Sequence, residues 1–110
     1  MTPKPGEVYL IDLGVGGKVR PVVIVSREDE NSPRALATVV PLTTQNRGSQ
    51  YEVEMPKVPW LKHQGVANVQ AISAYGHHEL MEKRGRFDAT VMERIKSRIA
   101  WALDIKTPSP

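Results

Sequence analysis

"RPVVIVS", residues 20–26, is the stretch on which the fold turns. Behind Pro21 come Val22, Val23, Ile24 and Val25, an unbroken β-branched run with no polar alternation. Such a run fits a strand covered on both faces, and it is too short and too branched to read as a buried helix. Pro21 sits near its start, where a missing backbone donor is tolerated. Upstream, the glycine-rich GVGGK (14–18) reads as a turn from an earlier strand, Glu7 to Leu13, which alternates loosely between Gly6 and Gly14. Downstream, the charged turn REDENSPR (27–34) leads into a third strand, Ala35 to Leu42.

The same pattern continues for three quarters of the chain. Ser49 to Met55 alternates cleanly, as a half-exposed strand does, and PKVPWLKHQ (56–64) leads into a further strand, Gly65 to Ile72. Tyr75 to Arg84 fits a short helix or a last strand, and the pattern does not separate the two. From Asp88 the period changes. Val91, Met92, Ile95, Ile99, Ala102 and Leu103 recur at helical spacing over residues 88–103. Asp88 suits the N-cap, and Phe87 with Met92 suits a hydrophobic staple across it. KTPSP (106–110) cannot continue that helix and is expected to be a disordered tail. The fold class expected is mainly β (α+β): a small antiparallel β domain over residues 1–105, closed by one amphipathic C-terminal helix.

Length and composition bound what this domain does. At 110 residues the chain is long enough for one small core, and 40% hydrophobic with 25% charged residues is ordinary for a globular protein. It has no cysteine, which excludes disulfides, thiolate zinc sites and a cysteine nucleophile, and which fits a cytoplasmic protein. No stretch is apolar enough for a transmembrane helix, and MTPKPGEVYLIDL lacks the order of a signal peptide. The net charge of +3 is mild, so it permits a polyanionic partner without demanding one. Basic residues concentrate between Lys83 and Arg98.

"VVPLTTQNRG", residues 39–48, ends the third strand in a run of hydrogen-bonding side chains richer than a turn requires. Together with three other segments it resembles the MazF/PemK family of toxin endoribonucleases from toxin–antitoxin systems. GEVYLIDL is similar to that family's first strand, VRPVVIVS to its R-P second strand, and VVPLTTQNRG to its P-[ILC]-T-[TS] third strand and polar loop. GRFDATVMERIKSRIAWALDI resembles its closing helix. The segments together span nearly the whole chain. The resemblance implies an SH3-like barrel of the MazF/CcdB/Kid type, usually a homodimer, that cleaves single-stranded RNA selectively and without a metal or cofactor. It also implies a cognate antitoxin as partner. The chain departs from the family in its short loop 14–18, and in carrying Gln70, Ala71, Ile72 and Ser73 where the family often shows D-Q-[IV]-[RK].

The resemblance assigns the catalytic roles to Arg20 and Thr43. Metal-free cleavage can use the substrate's 2′-hydroxyl as nucleophile, provided that its proton is removed, the charge on phosphorus is stabilised and the 5′-oxygen is protonated. A guanidinium matches phosphate oxygens as a rigid, permanently charged fork, and a threonine hydroxyl can donate to one of them. In isolation, Arg20 would read as a solvated charge at a strand start and Thr43 as a strand-ending β-former. Lys18, Thr44, Gln45, Asn46, Arg47, Gln70 and Ser73 are the candidates for contacts to RNA. His77 and His78 are adjacent, have no third ligand at metal spacing and would point to opposite faces of a strand, so both read as surface residues. Trp60 and Trp101 read as packing residues. Two rival functions remain: a CcdB-like topoisomerase poison, which would need no Arg/Thr pair, and an inactive MazF-like module that binds RNA or a partner. Incubation with a long mixed-sequence RNA in EDTA separates all three.

Overall fold

The computed structural model describes residues 2–12, 14 and 18–106. Among these residues are seven strands, β1 (Glu7–Asp12), β2 (Val19–Ile24), β3 (Leu36–Thr43), β4 (Glu52–Glu54), β5 (Val66–Asn68), β6 (Ser73–Gly76) and β7 (Lys83–Arg86), and one α-helix, α1 (Ala89–Ala102). All pairings are antiparallel. The main order is β4-β5-β3-β2-β1-β7, with β6 also on β3. β3 is therefore shared: its first half, Leu36 to Val39, pairs β6, and its end, Leu42 and Thr43, pairs β5. β7 and β6 are the outer strands of the β7-β1-β2-β3-β6 set, and residues 77–82 join them directly, which curls that set toward a barrel.

The unbroken β-branched run of β2 has the expected cause. Val23 belongs to one core with Val8, Val40 and Leu42, against which Phe87 and the helix residues Val91, Met92 and Ile95 pack. Val22 and Ile24 belong to a second core with Tyr9, Ile11, Ala37 and Val39. Successive residues thus enter opposite cores, and no position on β2 beyond Pro21 is free to be polar. The helix behaves as its spacing predicts. Asp88 accepts a hydrogen bond from the Val91 N–H at 3.0 Å, satisfying one of the orphan donors of the first turn, and Phe87 and Met92 are both buried in the first core.

Three expectations are corrected. The strand expected over 49–55 is paired only at Glu52–Glu54, because the Glu52 side chain holds the preceding turn. The strand expected over 65–72 stops at Asn68, where the Asn68 side chain accepts from the Gln70 N–H and starts a 3₁₀ turn, Val69–Ala71. Tyr75 to Arg84 is neither one helix nor one strand. It contains the end of β6, a 3₁₀ turn at His77–Glu79 and the start of β7. His77 and His78 accordingly sit on a turn and not on a strand; the Glu79 carboxylate accepts from the Gly76 N–H at 2.8 Å and closes that turn. Leu13, residues 15–17 and the end of the tail, 107–110, lie outside the described residues.

Candidate active site

The β2/β3 register runs Ile24↔Val39, Val23↔Val40, Val22↔Pro41. Carried two residues further, it sets Arg20 opposite Thr43. The hydrogen-bond phase refines this. The Val25 N–H donates to the Thr38 carbonyl at 2.9 Å, so that pair is hydrogen-bonded. Alternation along an antiparallel ladder then makes Val23/Val40 and Pro21/Leu42 bonded pairs. Val22/Pro41 and Arg20/Thr43 fall in the non-bonded phase, in which opposed side chains stand closest. Pro21 removes one of the two bonds of its pair, and the ladder ends there. Pro41 turns its donor-free nitrogen away from β2, into the gap between the residues that pair β6 and those that pair β5. The two prolines therefore fall where a missing N–H opens the sheet beside Arg20 and Thr43.

Both residues are half-buried. They line a cleft of about 350 Å³ together with Leu10, Leu42, Met55 and the segment Trp60 to His63. An adjoining groove runs from Arg20 along Pro41 and Thr43 to Thr44 and Gln45. The Thr43 Oγ1 accepts from the Gln45 N–H at 3.2 Å. That bond uses a lone pair and leaves the hydroxyl proton to donate elsewhere. Among the described residues, the charged groups lining the cleft are Arg20, Lys62 and Arg84, with His63 beside them and no carboxylate. The walls are apolar and the charge is positive, which suits a phosphodiester with a base attached.

Glu52 shapes the polar loop after Thr43. Its carboxylate accepts from the Arg47 N–H at 3.1 and 3.2 Å, and from the Ser49 N–H and hydroxyl at 3.0 Å. Those backbone N–H donors, from Ser49 and Arg47, hold its pKa below the ordinary carboxylate value. Gly48 takes a φ of +69°, and its N–H donates to the Asn46 Oδ1 at 2.8 Å. With the backbone donors occupied in this way, Thr44, Gln45, Asn46 and Arg47 are exposed.

Of the sequence candidates, Arg20, Thr43, Thr44 and Gln45 come together at the cleft and groove. Asn46 and Arg47 lie on the loop just beyond, Asn46 bonded to Glu54 and Arg47 to Gln45, each at 3.4 Å. Lys18 is exposed directly before β2. Gln70 lies in the 3₁₀ turn and Ser73 at the start of β6, opposite Val39; both are exposed, and neither lines the cleft. Sequence reasoning passed over Lys62, His63 and Arg84, and it assigned Trp60 to packing alone. Trp60 does pack on Phe87, with ring centroids 4.9 Å apart, but it also lines the cleft. The available signal was the run P-W-L-K-H-Q, an aromatic residue followed closely by two basic ones between short strands.

Residues 4–103 match the family described as PemK-like, MazF-like toxin of type II toxin–antitoxin system. Over 107 residues the chain is 35% identical to endoribonuclease MazF1 of Mycobacterium bovis and, to the same extent, to endoribonuclease MazF4 of Mycobacterium tuberculosis. These alignments cover 96% of this chain and 97% of each relative. A solved structure of a mycobacterial endoribonuclease in complex with its cognate antitoxin superposes with a TM-score of 0.83 at 33% identity, over 96% of this chain and 99% of that one.

Proposed function

Because the chain belongs to the PemK-like, MazF-like family of toxins, we propose that Arg20 and Thr43 form the centre at which it cuts RNA. It is an endoribonuclease toxin of the MazF type, neutralised by a cognate antitoxin. The finer reading is that the toxin cleaves single-stranded messenger RNA at selected sequences, without a metal, in the cytoplasm, and that residues 1–105 are the unit responsible. The observation that carries it is the β2/β3 register, which gives the R-P and P-L-T-T motifs one meeting point in a cationic cleft.

In this reading the 2′-hydroxyl attacks the adjacent phosphorus and leaves a 2′,3′-cyclic phosphate and a 5′-hydroxyl. The Arg20 guanidinium spans two phosphate oxygens as negative charge grows on them, and the Thr43 hydroxyl donates to a third position. Thr44, Gln45, Asn46 and Arg47 meet the flanking nucleotides, and Lys18 the backbone. Gln70 and Ser73 would reach RNA only on a longer path, or from a second protomer. A homodimer is expected, and it would cover some of the exposed apolar side chains, among which are Val19, Leu36, Met81 and Leu103. Sedimentation at micromolar concentration should then give about twice 12.2 kDa. The antitoxin segment would occupy the same cleft, and its binding should weaken with salt.

The test is cleavage of a long mixed-sequence RNA in EDTA, followed under single-turnover conditions. Arg20→Ala should slow cleavage on the order of a hundredfold, the effect of losing ~2.7 kcal/mol of transition-state stabilisation. Arg20→Lys should restore little, because an ammonium cannot span two oxygens in a plane. Thr43→Val loses the donor and the turn bond to Gln45, for about 1 kcal/mol of stability. Wild-type cleavage rates in both folded variants would refute the assignment.

A further inference from the structure

Attack by a 2′-hydroxyl needs a proton acceptor, and neither proposed residue supplies one. A guanidinium stays protonated, and a threonine hydroxyl is too weak a base. Of the residues lining the cleft and its groove, the ionisable ones are Arg20 from β2, Arg84 from β7, and Lys62 and His63 from the segment before β5. Three of these are cations at neutral pH, while imidazole is the side chain that takes up and releases protons there. The residues outside the described set carry no ionisable side chain in the sequence.

Local packing ties His63 to the strand end that carries Thr43. Val66 on β5 is the direct partner of Thr43. Gly65 lies so close that an added Cβ would stand 2.6 Å from the Thr43 carbonyl oxygen. The Gln64 side chain donates to the Met55 carbonyl at 2.9 Å and fixes the segment on its other side. His63, next in line, is exposed at the mouth of the cleft.

We propose that the His63 imidazole is the general base that takes the proton of the attacking 2′-hydroxyl, an inference that rests on the endoribonuclease reading of this cleft. The 2′-O–H bond breaks and its proton passes to the unprotonated imidazole nitrogen. The 2′-oxygen bonds to phosphorus, the P–O5′ bond breaks, and the leaving 5′-oxygen takes a proton from water. The imidazolium then returns its proton to solvent. The charged groups that line the cleft with His63 are Arg20, Lys62 and Arg84.

The experiment follows single-turnover cleavage from about pH 5 to 9, across the imidazole range, for wild type, His63→Gln, His63→Ala and Arg20→Ala. Binding of an RNA with a 2′-deoxy scissile nucleotide reports folding and cleft integrity. Wild type should gain rate with rising pH and reach a plateau. His63→Gln should bind the deoxy RNA as wild type does, lose on the order of a hundredfold in rate and lose that inflection. Added imidazole should restore part of the rate to His63→Ala. If His63→Gln cleaves as fast as wild type with the same pH profile while Arg20→Ala is slow, the His63 assignment falls and the site stands. If Arg20→Ala is also as fast as wild type, the reading beneath it falls too.

Discussion

Gly85 on β7 lies directly beneath the indole of Trp60. A Cβ added there would stand 2.7 Å from the Trp60 Cγ and nearer still to Cδ2 and Cε2, where carbon contacts want about 3.5–4 Å. The ring has little room to retreat. Phe87 is packed against it, and Arg84 holds its backbone carbonyl through a long 3.5 Å bond. Gly85 is not among the glycines at positive φ, so alanine is otherwise compatible with its backbone. Forcing a methyl into this contact should cost about 1–3 kcal/mol of strain. Losing the Trp60–Phe87 geometry adds about 0.5–1.5 kcal/mol. Against these, replacing glycine restricts the unfolded chain and returns about 0.4–1 kcal/mol. Gly85→Ala should therefore destabilise by ~2–3 kcal/mol, a large share of the ~5–15 kcal/mol that holds a small domain together. Urea unfolding followed by far-ultraviolet circular dichroism at one protein concentration measures it. With Trp60→Ala in place, the three nearest atoms that the added methyl would strike are gone, and Gly85→Ala should be neutral or slightly stabilising. The coupling between the two sites should exceed ~1.5 kcal/mol, well above the scatter of independent sites. Equal costs in both backgrounds would show that Trp60 does not rest on Gly85.

Four further outcomes follow from other contacts. Glu7 is buried; burial opposes its charge, but hydrogen bonds from Lys83, the Lys4 N–H and Tyr9 outweigh it and leave its pKa below the ordinary value. Its contribution is thus complete above the unfolded-state pKa and is lost as pH falls through the folded one, so Glu7→Gln should be less stable than wild type at neutral pH, with a gap that closes in acid. Burial, then Glu7, push the Tyr9 phenol from 10.0 up to about 12, so its contribution fades as pH rises across that interval, and ultraviolet titration of Glu7→Gln should find Tyr9 ionising earlier. Gly65→Ala must displace the Thr43 carbonyl, so cleavage should fall more than tenfold while far-ultraviolet circular dichroism at low temperature keeps its shape. Asp88→Ala strips the cap from the helix and should cost about 1 kcal/mol, read as a lower Tm, with cleavage at low temperature unchanged.

How far the sequence could be read depended on which interaction set each feature. β2 and the helix were legible because burial alone fixes them: Val22 to Ile24 enter two cores in turn, and Val91, Met92 and Ile95 enter one. Asp88 was legible because capping is local. The interruptions were not. Asn68 and Glu52 end or shorten strands through local side-chain bonds that compete with a good β pattern, and nothing in the alternation of apolar residues records them. Arg20 and Thr43 could be named from their motifs, but the reason they meet lies in the ladder phase, which needs the register. Lys62, His63 and Arg84 converge on the cleft from segments about twenty residues apart, and that proximity exists only after folding.

The pairing of β1 with β7 has a consequence for how the protein is made. A ribosome delivers Arg20 and Thr43 in the first half of the chain, yet β1 waits for residues 83–86, and the core under β3 waits for Phe87 and Ile95. The reactive residues are thus translated well before the residues that complete the first core. A chain cut short before the helix carries every proposed catalytic group but lacks Val91, Met92 and Ile95, which complete the first core, so an unfinished copy should cleave poorly.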